Sequence, residues 1–276
     1  MNYRKYIITI VLIGFTFIAK ANSKGSLFII GGGERTPELV NQLVETANLQ
    51  PNDYIVILPM ATGVPEESIA YFSGQISKVC NNKIASFNFN KAQADEHQSW
   101  IDSVKNARLI YITGGDQNKF MNIVKDTKLF TALHAAYNNG ATISGTSAGA
   151  AVMSEIMITG SEKEKENKFS EIKNNNIVTS TGMGFINTAI IDQHFIKRSR
   201  FNRLISVLAD HPNKMVIGID ESTAIIVTGN KAKVVGESQV VVISKPKKLL
   251  FFNKNKVSFK DAKISLFSPN QTFKLK

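Results

Sequence analysis

The chain has 276 residues, of which 43% are hydrophobic and 20% are charged, and its formal net charge is +11 at pH 7. This is the composition of an ordinary globular protein with a sizeable core, folded as one large domain or two small ones. The single cysteine, Cys80, excludes an intramolecular disulfide. The excess of lysine comes without a helix, finger or stacking motif typical of nucleic-acid binding, so we expect a solvated basic surface and no nucleic-acid partner.

The N-terminal residues have the pattern of a secretory leader. Arg4 and Lys5 precede the apolar run 6–19, and small residues then suit cleavage before Asn22. We therefore predict a signal peptide over residues 1–21 and an exported protein, periplasmic or extracellular, with no stable membrane association after cleavage. An uncleaved N-terminal anchor is the alternative, although the apolar run is shorter than the roughly 20 residues of a membrane span.

Short apolar runs typical of buried strands alternate with amphipathic stretches of helical spacing in the next part of the chain. This strict alternation predicts an α/β fold, a sandwich with a mostly parallel sheet. In chain order, the predicted strands begin at Ser26, Asp53, Lys83, Arg108 and Ala141, and the predicted helices begin at Pro37, at Pro65, at Gln93 (ending at Asn106) and at Lys128.

The second half of the chain is less regular. Residues 161–176 are polar and predict an exposed loop or flap. An apolar strand ending in the letters DQHF follows, then a helix, and then strands joined by glycine turns. Because no domain boundary is visible, we predict that residues 22–276 form a single domain with a β-rich C-terminal extension from about Gly229.

Three glycine-rich motifs, GGGER, GGDQ and GTSAG, follow predicted strands. Sites in parallel sheets gather at the carboxyl ends of strands. The GTSAG motif has the G-x-S-x-G form that holds a nucleophilic serine on a sharp strand-to-helix turn, which makes Ser147 the candidate nucleophile. A turn that is merely crowded would need the same small residues. The backbone N–H groups of Gly115 and Ala148 are the candidate donors to an oxyanion.

A serine nucleophile needs a base within hydrogen-bond reach. His97, His134 and His211 are most simply surface or packing residues. His194 differs because it closes an apolar strand, which we expect in the same sheet as Ser147 and ending at the same rim. His194 is therefore the candidate general base.

Five motifs in order, GGGER, TGGDQ, SGTSAGAAVMS, DQHF and GIDESTA, resemble those of the cyanophycinases, serine peptidases with the fold of class I glutamine amidotransferases. The resemblance extends from Ser26 to about Ile243. It implies a three-layer α/β/α sandwich and the release of β-Asp-Arg dipeptides from cyanophycin, a poly-aspartate that bears arginine on each side chain. It also implies Ser147 as nucleophile and His194 as base. The residues that it implies in substrate recognition are Gln117, Asp192, Gln193, Arg198, Arg200, Arg203 and Glu221.

The chemistry of this recognition set suits such a polymer. Arginine offers a planar pair of donors to the carboxylates of the substrate. In return, Glu221 and Asp192 are available to bind the guanidinium groups of the polymer. A solvated helix face is the alternative for the three arginines.

The third member of the catalytic triad is ambiguous in the sequence. The resemblance implies an acid soon after the serine helix, and three glutamates crowd that segment. We choose Glu162 over Glu164 and Glu166. No cofactor and no metal is expected, because the chain has no His-x-x-x-His pair and no cysteine pair.

The sequence thus predicts a secreted serine exopeptidase of the cyanophycinase type. Its expected partner is cyanophycin or another aspartyl peptide, and a homodimer is one possible assembly. A dipeptidase acting on N-terminal α-aspartyl peptides is the nearest alternative. A non-catalytic binding protein on the same scaffold is the alternative from another functional class.

Overall fold

The computed structural model describes residues 24–164 and 169–275, so the predicted signal peptide and Glu166 lie outside the described residues. None of the helices in these two ranges combines the length and the hydropathy of a transmembrane segment. The helices are α1 (Pro37–Ala47), α2 (Pro65–Ile76), α3 (Gln93–Glu96), α4 (Gln98–Lys105), α5 (Gln117–Val124), α6 (Lys128–Asn138), α7 (Ala148–Ala151) and α8 (Phe201–Asp210), with a 3-10 turn at Asn253–Asn255.

The strands of the described residues form two larger sheets and two small hairpins. They are β1 (Ser26–Ile30), β2 (Tyr54–Leu58), β3 (Lys83–Ser86), β4 (Leu109–Ile112), β5 (Thr142–Thr146), β6 (Ile156–Glu162), β7 (Ile177–Thr181), β8 (Ala189–Gln193), β9 (Met215–Ile219), β10 (Thr223–Thr228), β11 (Lys231–Gly236), β12 (Val240–Lys247), β13 (Leu250–Phe251), β14 (Val257–Ser258), β15 (Asp261–Phe267) and β16 (Thr272–Lys274).

The large sheet has eight strands in the order β16-β11-β10-β1-β5-β4-β2-β3. The five strands from β1 to β3 in this order are parallel to one another. The other three join antiparallel beyond β1. In the parallel part, β1, β5 and β4 are neighbours, so their carboxyl ends, which carry the three glycine-rich motifs, meet at one edge.

Helices cover both faces of this sheet. Successive side chains of a strand point to opposite faces. In β1, Leu27 and Ile29 belong to a core with residues of α3 to α7, while Phe28 and Ile30 belong to a second core with α1 and α2. The buried strands are therefore apolar on both faces, as parallel sheets between helices are. The predicted α/β/α sandwich with a mostly parallel sheet is confirmed.

The second sheet has four strands in the order β15-β12-β9-β8. Its strands β8 and β9 are parallel, and α8 packs on it through Leu204, Val207 and Leu208. The predicted C-terminal extension is divided between the sheets, because β11 and β16 join the large sheet whereas β12 and β15 join the second one. The helix predicted from Gln93 to Asn106 is interrupted at His97, whose φ of −80° and ψ of 74° are not helical.

Candidate active site

Ser147 lies on a strained turn between β5 and α7. Its φ of 52° and ψ of −109° are unfavourable for a residue with a side chain. Its N–H donates to the Ile30 carbonyl oxygen at 3.0 Å, which ties the turn to the end of the neighbouring strand β1. The hydroxyl is therefore held at the carboxyl edge of the large sheet.

The small residues around Ser147 are required by close backbone packing. A Cβ added to Gly145 would lie 2.2 Å from the Gly149 carbonyl oxygen, and one added to Gly149 would lie 2.4 Å from the Ile112 carbonyl oxygen. Helix α7 thus rests directly on the ends of β4 and β5. Crowding and the strained serine turn are two properties of the same packing.

Ser147, His194 and Glu221 form a continuous line of hydrogen bonds. His194 Nδ1 lies 2.6 Å from Glu221 Oε1, and His194 Nε2 lies 2.9 Å from Ser147 Oγ. Because a carboxylate can only accept, Nδ1 carries the proton and donates to Glu221. Nε2 is then an acceptor, and the Ser147 hydroxyl donates to it. This is the arrangement of a nucleophile, a base and an acid that orients the base.

His194 is in an environment that favours the neutral imidazole. The residue is 8% exposed, and this burial lowers the pKa of His194 below its ordinary value. The hydrogen bond and the charge of Glu221 oppose this decrease, whereas the positive charges of Arg198 and Arg200 reinforce it. Only the neutral imidazole can accept the proton of the serine.

The base reaches the serine from a different sheet than expected. Strand β8, which ends immediately before His194, belongs to the second sheet, whereas Ser147 follows a strand of the large one. The two meet because the His194 N–H donates to the Gly31 carbonyl oxygen at 2.7 Å, just beyond the end of β1. The expectation of a common sheet is therefore corrected, while the expected common rim is present.

The glycines after β1 make room for the base and the acid. Gly32 has a φ of +113°, and a Cβ added there would lie 2.3 to 2.8 Å from atoms of the His194 ring. A Cβ added to Gly33 would lie 2.7 Å from the Glu221 Cβ. Gly32 and Gly33 of the GGGER motif thus act by their lack of side chains, which lets the imidazole and the carboxylate lie against the backbone.

The choice of Glu162 as the orienting acid is corrected by the structure. Its Oε2 accepts from the Phe169 N–H at 2.7 Å and its Oε1 from the Asn176 side chain at 3.0 Å. Glu162 therefore stabilises the connection between β6 and β7, and Glu164 pairs with Lys173 in the same connection. Glu221, which the resemblance implied in substrate recognition, occupies the position beside His194 Nδ1.

The two candidate oxyanion donors lie on either side of the serine turn. Gly115 has a φ of +134°, and a Cβ there would lie 2.2 Å from the Ala61 carbonyl oxygen, so the loop after β4 is closely held. In the first hydrogen bonds of α7, the N–H groups of Ala150 and Ala151 both donate to the Ser147 carbonyl oxygen. The Ala148 N–H precedes them and has no acceptor within the helix. Because α7 has four residues, its macrodipole adds little.

Asp192, Gln193, Arg200 and Arg203 form a buried cluster of their own. Arg203 donates through Nε to Asp192 at 2.9 Å, and its terminal nitrogen also contacts the same carboxylate. Arg200 donates to the Gln193 carbonyl oxygen at 2.6 Å and lies 3.4 Å from Asp192. Burial, followed by the charge of Arg203, lowers the pKa of Arg200 to about 10, which still leaves it charged at neutral pH. These groups satisfy one another rather than facing a substrate.

The two other residues implied in recognition also lie elsewhere. Gln117 is buried and donates its side-chain amide to the Ile158 carbonyl oxygen at 2.9 Å, which fastens α5 to β6. Arg198 is exposed, and its N–H donates to the His194 carbonyl oxygen at 3.0 Å. Its charge acts on the imidazole, as described above, but its side chain does not line the pocket beside Ser147.

A pocket of about 330 Å³ opens beside the serine and the histidine. A larger cavity of about 660 Å³ lies elsewhere, among lysines of the C-terminal strands, and shares no residue with this site. Among the described residues, no group of three His, Cys, Asp or Glu side chains is placed to bind a metal ion. The residues that line the pocket of the site are Gly32, Gly33, Arg35, Thr62, Ser68, Tyr71, Tyr111, Thr113, Gly114, Gly115, Thr146, Ser147 and His194.

The polar wall of this pocket was not predicted from the sequence. Arg35, Tyr71 and Tyr111 carry its charge and two of its hydroxyl groups. Arg35 gave a signal in the sequence, because it is the last residue of the GGGER motif, which follows a predicted strand. The two tyrosines gave no signal, because they come from α2 and β4, far apart in the chain.

Comparisons with known proteins agree on one family. The model of peptidase family S51 matches residues 27–235. A cyanophycinase of Trichormus variabilis is 30% identical over 227 residues, which cover 80% of this chain and 74% of that protein. A cyanophycinase of Geminocystis herdmanii is 29% identical over 244 residues, covering 86% and 87% of the two chains.

A solved structure supports the fold independently. The crystal structure of a peptidase from an acI-B1 actinobacterium superposes with a TM-score of 0.68 at 22% identity, over 92% of this chain and 98% of that one. With the family match extending across the strands that carry the serine, the histidine and the glutamate, the chain belongs to peptidase family S51.

Proposed function

We propose that this peptidase is a serine exopeptidase that releases β-Asp-Arg dipeptides from cyanophycin through an acyl-enzyme on Ser147. The observation that carries the proposal is the line from Ser147 Oγ through His194 to Glu221, with distances of 2.9 and 2.6 Å. The name cyanophycinase that the relatives bear supports the substrate.

The proposed reaction is acyl transfer in two halves. His194 Nε2 takes the proton of Ser147 as Oγ attacks the carbonyl carbon of an aspartyl peptide bond. The N–H groups of Gly115 and Ala148 donate to the oxyanion that develops. His194 then gives the proton to the leaving nitrogen, and the C–N bond breaks to leave an ester on Ser147. Water, deprotonated by the same imidazole, cleaves this ester and restores the serine hydroxyl.

A second candidate is a dipeptidase that acts on N-terminal α-aspartyl peptides. The composition of the pocket favours it, because the lining residues in the described part of the chain include Arg35 and no aspartate or glutamate. A substrate group with a negative charge suits this wall better than the guanidinium group of the polymer does.

Incubation of the purified protein with cyanophycin tests the proposal. We expect the wild type to release β-Asp-Arg, which mass spectrometry detects. This release should be lost in Ser147→Ala and blocked by a serine-directed inhibitor. A Ser147→Ala variant that hydrolyses as well as the wild type would contradict the mechanism. Hydrolysis of an α-aspartyl dipeptide without release from the polymer would favour the second candidate, and binding without any hydrolysis would favour a non-catalytic protein.

We also propose export, on the pattern of residues 1–21. The intact mass of the protein recovered from the periplasm or the medium of the producing cell should correspond to a chain that begins at Asn22. A mass that still includes residues 1–21 would contradict cleavage.

A further inference from the structure

Among the described residues that line the pocket beside Ser147, Arg35 is the one permanently cationic side chain, and there is no aspartate or glutamate. Arg35 lines it together with the hydroxyl groups of Thr62, Ser68 and Tyr71. The residue is 8% exposed. A guanidinium in such a place needs a partner of opposite charge, because burying an unpaired charge is costly.

The protein holds Arg35 in place without neutralising it. Its Nε donates to the Gln75 side-chain oxygen at 2.8 Å, and Gln75 donates back to the Arg35 carbonyl oxygen at 3.1 Å. Its guanidinium carbon lies 4.9 Å from the centre of the Tyr71 ring, a cation–π contact that helps to hold the group beside the pocket. None of the ion pairs formed among the described residues includes Arg35.

The other arginines near the site differ from Arg35 in their partners and exposure. Arg200 and Arg203 have the carboxylate of Asp192 as their partner. Arg198 is exposed to solvent and does not line the pocket. Arg35 is therefore the arginine whose charge faces the space beside the nucleophile.

Arg35 is connected to the serine turn through a single residue. Tyr111 is fully buried, and the Arg35 charge and the Thr146 side chain both act on its hydroxyl. Thr146 immediately precedes Ser147. The guanidinium and the nucleophile thus belong to one pocket of about 330 Å³.

We propose that Arg35, with the hydroxyl group of Tyr71, forms a subsite that binds a carboxylate group of the substrate next to the scissile bond. The proposal rests on the proposed peptidase function and makes its specificity concrete. The carboxylate has two possible sources, the side chain of an aspartyl residue or the free carboxylate of the arginine in a β-Asp-Arg unit. The chemistry of the subsite is the same for both, since Arg binds planar carboxylates in a fork.

Binding measured on Ser147→Ala tests the subsite without requiring hydrolysis. The probes are Asp-Leu with its neutral counterpart Asn-Leu, and β-Asp-Arg with its arginine amide, each titrated by calorimetry. We expect Arg35→Gln to weaken binding of one carboxylate probe by about 10- to 100-fold, the range for a hydrogen bond to a charged group, and to leave its neutral counterpart unchanged. The pair that shows this difference identifies the source of the carboxylate.

Two further variants separate recognition from folding. Arg35→Lys keeps the charge and should restore part of the lost affinity. Arg108 is a matched control, because it is half-buried, donates through Nε to the Ala47 carbonyl oxygen at 3.0 Å and does not line the pocket. Arg108→Gln should leave the preference for the carboxylate probe intact.

The outcomes distinguish this proposal from the peptidase function. Failure of the wild type to hydrolyse any peptide would overturn the function but not the binding result. Equal effects of Arg35→Gln on the carboxylate and neutral probes would overturn the subsite, and so would unchanged binding or no measurable binding of either carboxylate probe.

Discussion

Replacing Glu221 with glutamine should remove most of the activity and leave the fold intact. The hydrogen bond of 2.6 Å from His194 Nδ1 to Glu221 stabilises the imidazole tautomer in which Nε2 can accept the serine proton. Glutamine has the same size but no charge, and its amide can turn toward Nδ1 and favour the wrong tautomer. The corresponding change in serine triads costs about 10⁴-fold in kcat. Because the Glu221 side chain is 27% exposed and water can replace part of its effect, we expect a loss of about 10³- to 10⁴-fold.

This loss corresponds to about 4–5 kcal/mol of transition-state stabilisation, at 1.36 kcal/mol for each factor of ten. Steady-state hydrolysis gives kcat and KM, and thermal unfolding shows that the variant is folded. Glu162→Gln is the matched control, because it makes the same chemical change in the acid that accepts from the Phe169 N–H and not from His194. Its kcat should stay within a few-fold of the wild type. A larger loss in Glu162→Gln than in Glu221→Gln would refute the assignment of the orienting acid.

Three further predictions address the base and its surroundings. Gly32→Ala should lower kcat about 10²-fold at similar KM, because the new Cβ would lie 2.3 Å from the His194 ring and would displace it. A displacement of a catalytic group by about 1 Å can cost about 10²-fold in rate. Unchanged steady-state kinetics would contradict the clash. The value of kcat/KM should fall at low pH with a midpoint below pH 6.5, because burial lowers the pKa of His194 and the base acts when neutral. Arg198→Gln removes a positive charge that lowers this pKa, so it should raise the midpoint. A midpoint above pH 6.5 in the wild type would contradict this reasoning. Asp192→Asn should lower the free energy of unfolding in urea by about 3–5 kcal/mol, because Arg203 would stay buried without its partner, and an unchanged unfolding midpoint would argue against that ion pair.

The fold and the serine turn were predictable because their signals are local. Apolar runs that alternate with helical spacing fix the layers of the sandwich, as β1 shows by sharing its residues between two cores. The GTSAG letters fix a crowded turn whose neighbours must be glycine, as the contacts of Gly145 show. Such features depend on residues a few positions apart, so one sequence is enough to find them.

The acid of the site was not predictable in the same way. Glu162 is nearer to Ser147 in sequence, but Glu221 follows β9 and reaches His194 only because β9 lies parallel to β8 in the second sheet. The arginines show a related difficulty. The spacing of Arg200 and Arg203 is that of a helix face, and the sequence does not say that this face turns inward onto Asp192. Partners brought together by strand pairing leave no trace in local spacing.

The turn after β1 explains how residues from two sheets can share one site. Successive carbonyl oxygens of that turn receive the backbone of each functional segment, since Ile30 accepts from Ser147 at 3.0 Å, Gly31 from His194 at 2.7 Å and Gly32 from Ser222 at 2.9 Å. All three donors have positive φ, of 52°, 49° and 51°.

Positive φ in a residue with a side chain costs about 1–3 kcal/mol, so three such residues side by side need a common cause. Ser147 and His194 each follow the last residue of a strand, whereas Ser222 precedes the first residue of β10. Each of the three is fastened to the same turn by a hydrogen bond. The three fixed kinks therefore hold the serine, the histidine and the neighbouring Glu221 against one turn. Gly32 and Gly33 of that turn lack side chains because a Cβ at these positions would occupy the space of His194 and Glu221.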